Sequence, residues 1–377
     1  MIYHKFGSLD VNVSLFGMGC MRLPMEENFT DNGQIDERAA IELIRTAIDR
    51  GVNYFDTAYF YHNGRSEVVV GKALQDGYRQ KIHLATKNPV SLVKTYDDFG
   101  KYLNTSLERL NTDHIDFYLL HGVNGKEFKR VYELGALDFM EKARREGKID
   151  KICFSFHDDY EAFKTIIDAY DWDMAQVQIN YMDEFNQCTA AGVRYAADKG
   201  IGIVVMEPLK GGRLAQNLPD DIAAILRKAH PDWEPVEWAF RWLMNLPISV
   251  VLSGTSNMEQ LESSLRIFQG DRQGLTPEEV AVVERVREEF HKRIAVPCTS
   301  CNYCQPCPKD VEIPRIFGCY NEGRIYNQQA QSRKNYVNNI MPEHGAQHCV
   351  ACGKCERVCP QHIPIIERLK EIHGEFQ

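Results

Sequence analysis

No stretch of 18 consecutive apolar residues occurs in the 377-residue chain, so no segment is predicted to cross a bilayer as a helix. The opening residues, Met1-Ile2-Tyr3-His4-Lys5-Phe6-Gly7, lack the apolar core of a secretory signal, and a cytoplasmic location is expected. Positive charge is in short supply: 44 Lys and Arg face 53 Asp and Glu. The resulting formal charge of −9 disfavours nucleic acid or an anionic membrane as a partner. No G-x-G-x-x-G opens a helix after a strand; Gly17-Met18-Gly19 is only a fragment of that fingerprint. No low-complexity segment and no flavin motif is apparent.

What remains is the composition of an ordinary globular protein, 44% hydrophobic and 26% charged. The length exceeds one core, whereas about 250 residues suit one α/β barrel. From residue 15 to about 268, short apolar runs alternate with amphipathic helical stretches. Asp36 is a predicted N-cap for a helix in which Ala39, Ala40, Leu43, Ile44, Ala47 and Ile48 recur at helical spacing, and Gly51 ends it. Strands are predicted at Leu15–Met18, Val52–Phe55, Ile82–Ala85, Ile115–Leu120, Lys151–Phe154, Met174–Val177, Ile203–Met206 and Ser249–Leu252. Eight such βα units favour a closed (β/α)8 TIM barrel over a doubly wound sheet. Residues 2–13 read as a β-hairpin turning at Gly7-Ser8 and plugging the barrel's bottom. Thr276, Pro277 and Glu279 read as a capping box opening a helix to about Arg293. The predicted organisation is a barrel over 1–270, a linking helix over 271–296, and a small cysteine-rich domain of helices and loops over 297–377.

Eight of the twelve cysteines fall in two tight groups, while Cys20, Cys153, Cys188 and Cys319 are scattered. In a reducing compartment such groups read as metal ligands. The second group is Cys349-x2-Cys352-x2-Cys355-x3-Cys359-Pro360, and the first is Cys298-x2-Cys301-x2-Cys304-x2-Cys307-Pro308. A pair of four-cysteine zinc sites is the alternative, but zinc ribbons use two C-x2-C pairs per metal, not three cysteines in a row before Cys-Pro. The module resembles the bacterial 2[4Fe–4S] ferredoxin family, in which the fourth cysteine of each run serves the other cluster. That resemblance implies one cluster on Cys298, Cys301, Cys304 and Cys359, and the other on Cys349, Cys352, Cys355 and Cys307. The first run is one residue short before Cys307. Cys319, in the spacer, is expected to be a buried thiol.

Polar residues fall where a parallel barrel places its active site, just beyond strand C-termini. Asp56 follows one predicted strand, Lys87 the next and His121 the third, and Tyr61 lies in the loop after Asp56. Singly, each has an ordinary reading as a surface lysine, a packed tyrosine, a hydrogen-bonded histidine or a cap. Together they supply an acid, a cation, an imidazole and a phenol on consecutive strand ends.

Here Val52-Asn53-Tyr54-Phe55-Asp56-Thr57-Ala58, then Tyr61, Gly64 and Ser66-Glu67, resembles the aldo-keto reductase signature. Leu84-Ala85-Thr86-Lys87 and Asp116-Phe117-Tyr118-Leu119-Leu120-His121 resemble that family's next two motifs. The resemblance spans roughly residues 1–270. It implies a nicotinamide coenzyme and reversible reduction of an aldehyde or ketone to an alcohol, with Tyr61 rather than Tyr59 as the proton donor. Hydride arriving at a carbonyl carbon builds charge on oxygen, which needs such a donor. Lys87 is expected to lower the Tyr61 pKa, Asp56 to pair with Lys87, and His121 to orient the carbonyl.

The same resemblance implies coenzyme contacts. Ser155 and Gln176 would hold the carboxamide, with Phe156 where the family has Asn and His157 as its substitute. Met206 stands where an aromatic often stacks on the nicotinamide. Pro208-Leu209-Lys210-Gly211-Gly212 would lie along the pyrophosphate, and Ser253-Gly254-Thr255-Ser256-Asn257 with Gln260 around the adenosine phosphate. Gln260 replaces an Arg that many members use for the 2′-phosphate. NADP(H) is therefore favoured only by the family, and NAD(H) stays open. The competing function is an electron-transfer subunit, in which the barrel is a binding scaffold and the clusters serve a redox partner protein. A third reading makes the clusters purely structural.

Overall fold

Parallel pairing of short apolar runs dominates the computed structural model, which describes residues 1–26, 34–270, 273–300 and 302–377. Each of the eight predicted runs is a strand. A hairpin of β1 (Tyr3–Lys5) and β2 (Asn12–Ser14) precedes them. The barrel strands are β3 (Phe16–Gly19), β4 (Tyr54–Asp56), β5 (His83–Asn88), β6 (Ile115–Val123), β7 (Ile149–Phe156), β8 (Met174–Gln178), β9 (Gly202–Met206) and β10 (Val250–Ser253). They close in the order β10-β3-β4-β5-β6-β7-β8-β9, all in parallel, as a (β/α)8 barrel requires.

Three strands run further toward their C-termini than the apolar runs do. Asp56 ends β4, Lys87 is the penultimate residue of β5, and His121 lies within β6, not after it. Ladder hydrogen bonds need only backbone groups, so pairing continues past the last apolar side chain. In β6 the register shifts between Leu120 and Val123, and Gly122 takes φ +64° there.

The hairpin seals the opposite end. Phe6 is fully buried, with its ring centroid 4.7 Å from Phe117 and 6.1 Å from Tyr54. Burying one such ring stabilises the fold by about 1.5–3 kcal/mol. Glycines make room for it. A Cβ on Gly202 would sit 2.1 Å from the Phe6 ring, and one on Gly7 (φ +55°) 2.5 Å from the Gly200 carbonyl oxygen. Outside the barrel, Asp36 caps the helix Glu37–Asp49 by accepting from Ala39 N–H at 3.0 Å.

The chain divides into two compact units, Met1–Gly211 with Val236–Thr276, and Gly212–Pro235 with Pro277–Gln377. The helix Pro277–His291, predicted from its capping signals, belongs to the second unit together with 212–235. Glu279 pairs with His230 Nε2 at 2.7 Å within that unit. A small core there gathers Val296, Ile316, Phe317, Tyr336, Leu369 and Phe376, and six of the grouped cysteines pack against it. Cys319 is buried, its thiol donating to the Ser332 carbonyl. Among the described residues no helix is long and apolar enough to cross a membrane.

Candidate functional site

The three strand ends β4, β5 and β6 bring Asp56, Lys87 and His121 to one end of the barrel, and a loop brings Tyr61 to them. Lys87 is 1% exposed and Asp56 2%. An ammonium has three donors, and all three of Lys87's are used: Asp56 Oδ1 at 2.6 Å, the Thr57 carbonyl at 2.7 Å and Tyr61 Oη at 3.2 Å. Burial works against the charge on Lys87, but Asp56 and Tyr61 outweigh it and its pKa is raised. Burial raises Asp56 against the pull of Lys87, and the 2.6 Å contact is that of an ion pair. Tyr61 departs from expectation. Its pKa is raised, because burial exceeds the lowering by Lys87, so the resting group is a neutral phenol.

The loop is fixed by buried polar chemistry. Glu67, fully buried, accepts from Thr86 Oγ1 at 2.7 Å and pairs with Arg109 at 3.1 Å. Arg109 also donates to the Tyr59 carbonyl at 3.1 Å and lies 4.3 Å over the Tyr59 ring. Tyr59 is thus held by packing against Arg109. Gly64, at φ +87°, leaves the space that the Arg109 guanidinium fills, since a Cβ would lie 2.8 Å from it. His62 and Asn63, at φ 49° and 55°, redirect the backbone just after Tyr61.

His121 has its ring centroid 6.0 Å from that of Tyr61. Burial, then Lys87 and His157, push its pKa down to about 3, so it is neutral near pH 7. An unfolded histidine titrates near 6.5, so between pH 6.5 and about 3 only the unfolded chain takes up this proton. Stability is therefore expected to fall as pH drops through that window, by at most about 1.4 kcal/mol per pH unit from this group. Urea unfolding at pH 7 and pH 5 should show a larger loss for wild type than for His121→Gln; equal losses would remove His121 as the source.

The residues read as coenzyme contacts occupy the ends of β7 to β10 at the same end of the barrel. Ser155 Oγ accepts from Gly122 N–H at 2.7 Å, which leaves its own proton to donate. Gln176 Oε1 and Thr255 Oγ1 are buried without a protein partner. Such orphan groups fit a ligand that supplies their hydrogen bonds, as a carboxamide and a phosphate would. Met206 ends β9, and Pro208, Leu209 and Gly211 follow in the next loop. Lys210 is bound by both oxygens of Asp183, at 2.8 and 2.7 Å. Ser253 ends β10, Gly254 follows it, and Asn257 caps the helix Met258–Ile267. Gln260 Oε1 accepts from Ser256 N–H at 2.9 Å, so this side chain braces the loop that precedes its helix.

Two residues escaped the sequence reading. Arg22 lays its stem over Gly254, 3.3 Å from where a Cβ would stand there, and its carbonyl accepts from Ser256 Oγ at 2.9 Å. It follows the end of β3, the one barrel strand end for which the sequence reading named no residue. Asp183 carries no linear signal, since its cation lies 27 residues on.

The grouped cysteines line two cavities, and each draws on both runs. Cys298, Cys304 and Cys359 line one, with Phe317 and Ile363. Cys307, Cys349, Cys352 and Cys355 line another of about 140 Å³, and Cys304 lines both. Cys301 lies outside the described residues. Among the described residues no three His, Cys, Asp or Glu converge on a single-ion site. Cysteines lining a common cavity are the donor set that a 4Fe–4S cluster takes.

Comparison with known proteins agrees with both parts. The model of the aldo/keto reductase family matches residues 16–288, and that of a 4Fe-4S dicluster domain matches residues 297–363. The chain is 27% identical over 324 residues to the uncharacterized oxidoreductase YqkF of Bacillus subtilis (strain 168), covering 76% of this chain and 97% of that one. It is 26% identical over 245 residues to the NADH-specific methylglyoxal reductase of Escherichia coli (strain K12), covering 60% and 73%. The holo form of aldo-keto reductase AKR11C1 from Bacillus halodurans superposes with a TM-score of 0.64 at 25% identity, over 76% of this chain and 96% of that one.

Proposed function

The chain is a redox enzyme that belongs to the aldo/keto reductase family and carries a 4Fe-4S dicluster domain, and from that membership we propose that it interconverts an aldehyde or ketone and an alcohol using NAD(P)(H). The observation that carries the reading is the Lys87 ammonium, saturated by Asp56, Thr57 and Tyr61. Because Tyr61 Oη accepts from Lys87, its own proton is left to point away from the lysine, toward a substrate oxygen. Bound NAD(P)H would supply the hydride. Tyr61 then gives its proton to the oxygen, and Lys87, fixed by Asp56, stabilises the phenolate left behind. Neutral His121 hydrogen-bonds the same oxygen and orients the carbonyl. Ser155 and Gln176 would hold the carboxamide, and the loops after β9 and β10 the phosphates. We assign the barrel to 1–270, the link to 271–296 and the dicluster domain to 297–377, all in the cytoplasm. The clusters are assigned to Cys298, Cys301, Cys304 and Cys359, and to Cys307, Cys349, Cys352 and Cys355. Anaerobic purification, with iron and sulfide counted and carbonyl turnover assayed with NADPH and NADH, tests the whole. Absence of turnover across aldehydes and ketones would overturn the carbonyl reading.

Discrimination between the coenzymes is expected to be weak, because Gln260 carries no charge with which to clamp a 2′-phosphate. Gln260→Arg is expected to shift preference toward NADPH at least about tenfold, the scale of one charge-assisted contact. Titrating both coenzymes into wild type and variant decides it. A wild-type preference for NADPH near a thousandfold would mean that another cation grips the phosphate. Arg22, which has no ion pair among the described residues, would be the first candidate, ahead of Lys210 on Asp183.

A further inference from the structure

We infer that the face around Cys352 is the docking site of a small acidic one-electron carrier protein, an inference that rests on a cluster being held by Cys307, Cys349, Cys352 and Cys355. Cys352 is exposed, and three apolar side chains stand out around the same cavity: Tyr303 is 67% exposed, Val350 58% and Val358 49%. Cys352 is the one exposed cysteine among the described members of the two runs, whereas Cys298, Cys304 and Cys359 of the other cavity are only partly exposed. Electron transfer weakens steeply with distance, so the cavity that Cys352 lines is the better placed for exchange with a partner.

Charge then selects the partner. The cavity lining includes Lys309 and Lys354 and no carboxylate, and Arg357 is exposed beside them. None of the three makes an ion pair among the described residues. The neighbouring Glu356 faces inward to the Ile366 N–H at 2.9 Å, which leaves Asp310 and Glu367 as the exposed acids nearby in sequence. On a chain of net charge −9, a cationic rim around an apolar centre is a local reversal of sign. That is the anatomy of a transient, electrostatically steered interface. Nucleic acid would need more cations than these on so acidic a chain. A second copy would set like charges against each other across a two-fold axis. In the docked pair one electron leaves the reduced carrier and enters the cluster beside Cys352. The carrier is oxidised by one electron, the cluster is reduced by one, and no bond or proton is exchanged.

The test uses the full-length protein with its metal content measured, and an acidic two-cluster ferredoxin reduced with dithionite as the probe. Affinity and the rate of cluster reduction are followed at low and high salt in wild type and in the Lys309→Glu/Lys354→Glu variant. The variant is expected to bind at least about tenfold more weakly at low salt, wild-type affinity to fall as salt rises, and nicotinamide-dependent turnover to stay unchanged. If the charge reversal lowers the iron content, Lys309→Gln/Lys354→Gln takes its place, with a smaller loss expected. Unchanged affinity in a variant that keeps its iron would overturn the proposal, as would tighter binding of a basic cytochrome by wild type. A dimer that the variant abolishes would give the face to a second copy instead. Zinc in place of iron would overturn both the docking and the cluster assignment.

Discussion

Tyr61→Phe is expected to bind coenzyme as wild type does and to turn over at least about a hundredfold more slowly, the usual scale of a lost general acid. The change removes one oxygen. Lys87 keeps Asp56 and the Thr57 carbonyl as acceptors, so the ion pair survives and the effect is confined to the proton donor. Tyr59→Phe is the control, because the ring under Arg109 and the carbonyl that Arg109 binds both remain. Lys87→Met should also abolish turnover, but it leaves Asp56 buried and unpaired, at a cost of about 3–5 kcal/mol to stability. The phenylalanine variant is therefore the cleaner probe. Steady-state kcat and a coenzyme titration on both tyrosine variants decide the matter. Wild-type turnover in Tyr61→Phe would remove Tyr61 as the acid, and an equal loss in Tyr59→Phe would reopen the choice between them.

Cys359→Ala is expected to damage the cluster site built by the first cysteine run, although Cys298 and Cys304 lie more than fifty residues before it. The basis is the cavity that Cys359 shares with those two cysteines, while Cys349, Cys352 and Cys355 share theirs with Cys307. Cys352→Ala should damage the second cluster directly. Metal binding supplies folding free energy to small metal-stabilised domains, so either change should also loosen residues 297–377. The barrel has its own core and should still bind coenzyme. Spectroscopy of Cys359→Ala, with iron counted per chain, is the measurement. An intact first cluster beside an altered second one would mean that each run closes its own site.

Periodicity was enough to predict all eight barrel strands, because parallel strands buried on both faces are written as apolar runs bounded by polar turns. Their C-terminal ends were not legible, since Lys87 and His121 are paired through backbone groups that side-chain polarity does not report. The motif spacing singled out Tyr61 over Tyr59; that Arg109, forty-two residues after Glu67, packs on the Tyr59 ring was not legible. What stayed hidden depends on solvation or distant contact. The raised pKa of Tyr61 comes from burial, which sequence does not report. The capture of Lys210 by Asp183 joins two loops that no local pattern connects.

The shared cysteine cavities also impose an order on biosynthesis. A ribosome delivers Cys298 and Cys304 early, yet the cavity they begin is completed only when Cys359 emerges. The cavity completed by Cys355 needs Cys307 from the earlier run. On the proposed assignment neither site can close while the nascent chain ends in the spacer between the runs, and iron–sulfur insertion would follow synthesis of nearly the whole module. A barrel that folds first would wait, translated and competent, for a cofactor domain whose first-started site is finished last.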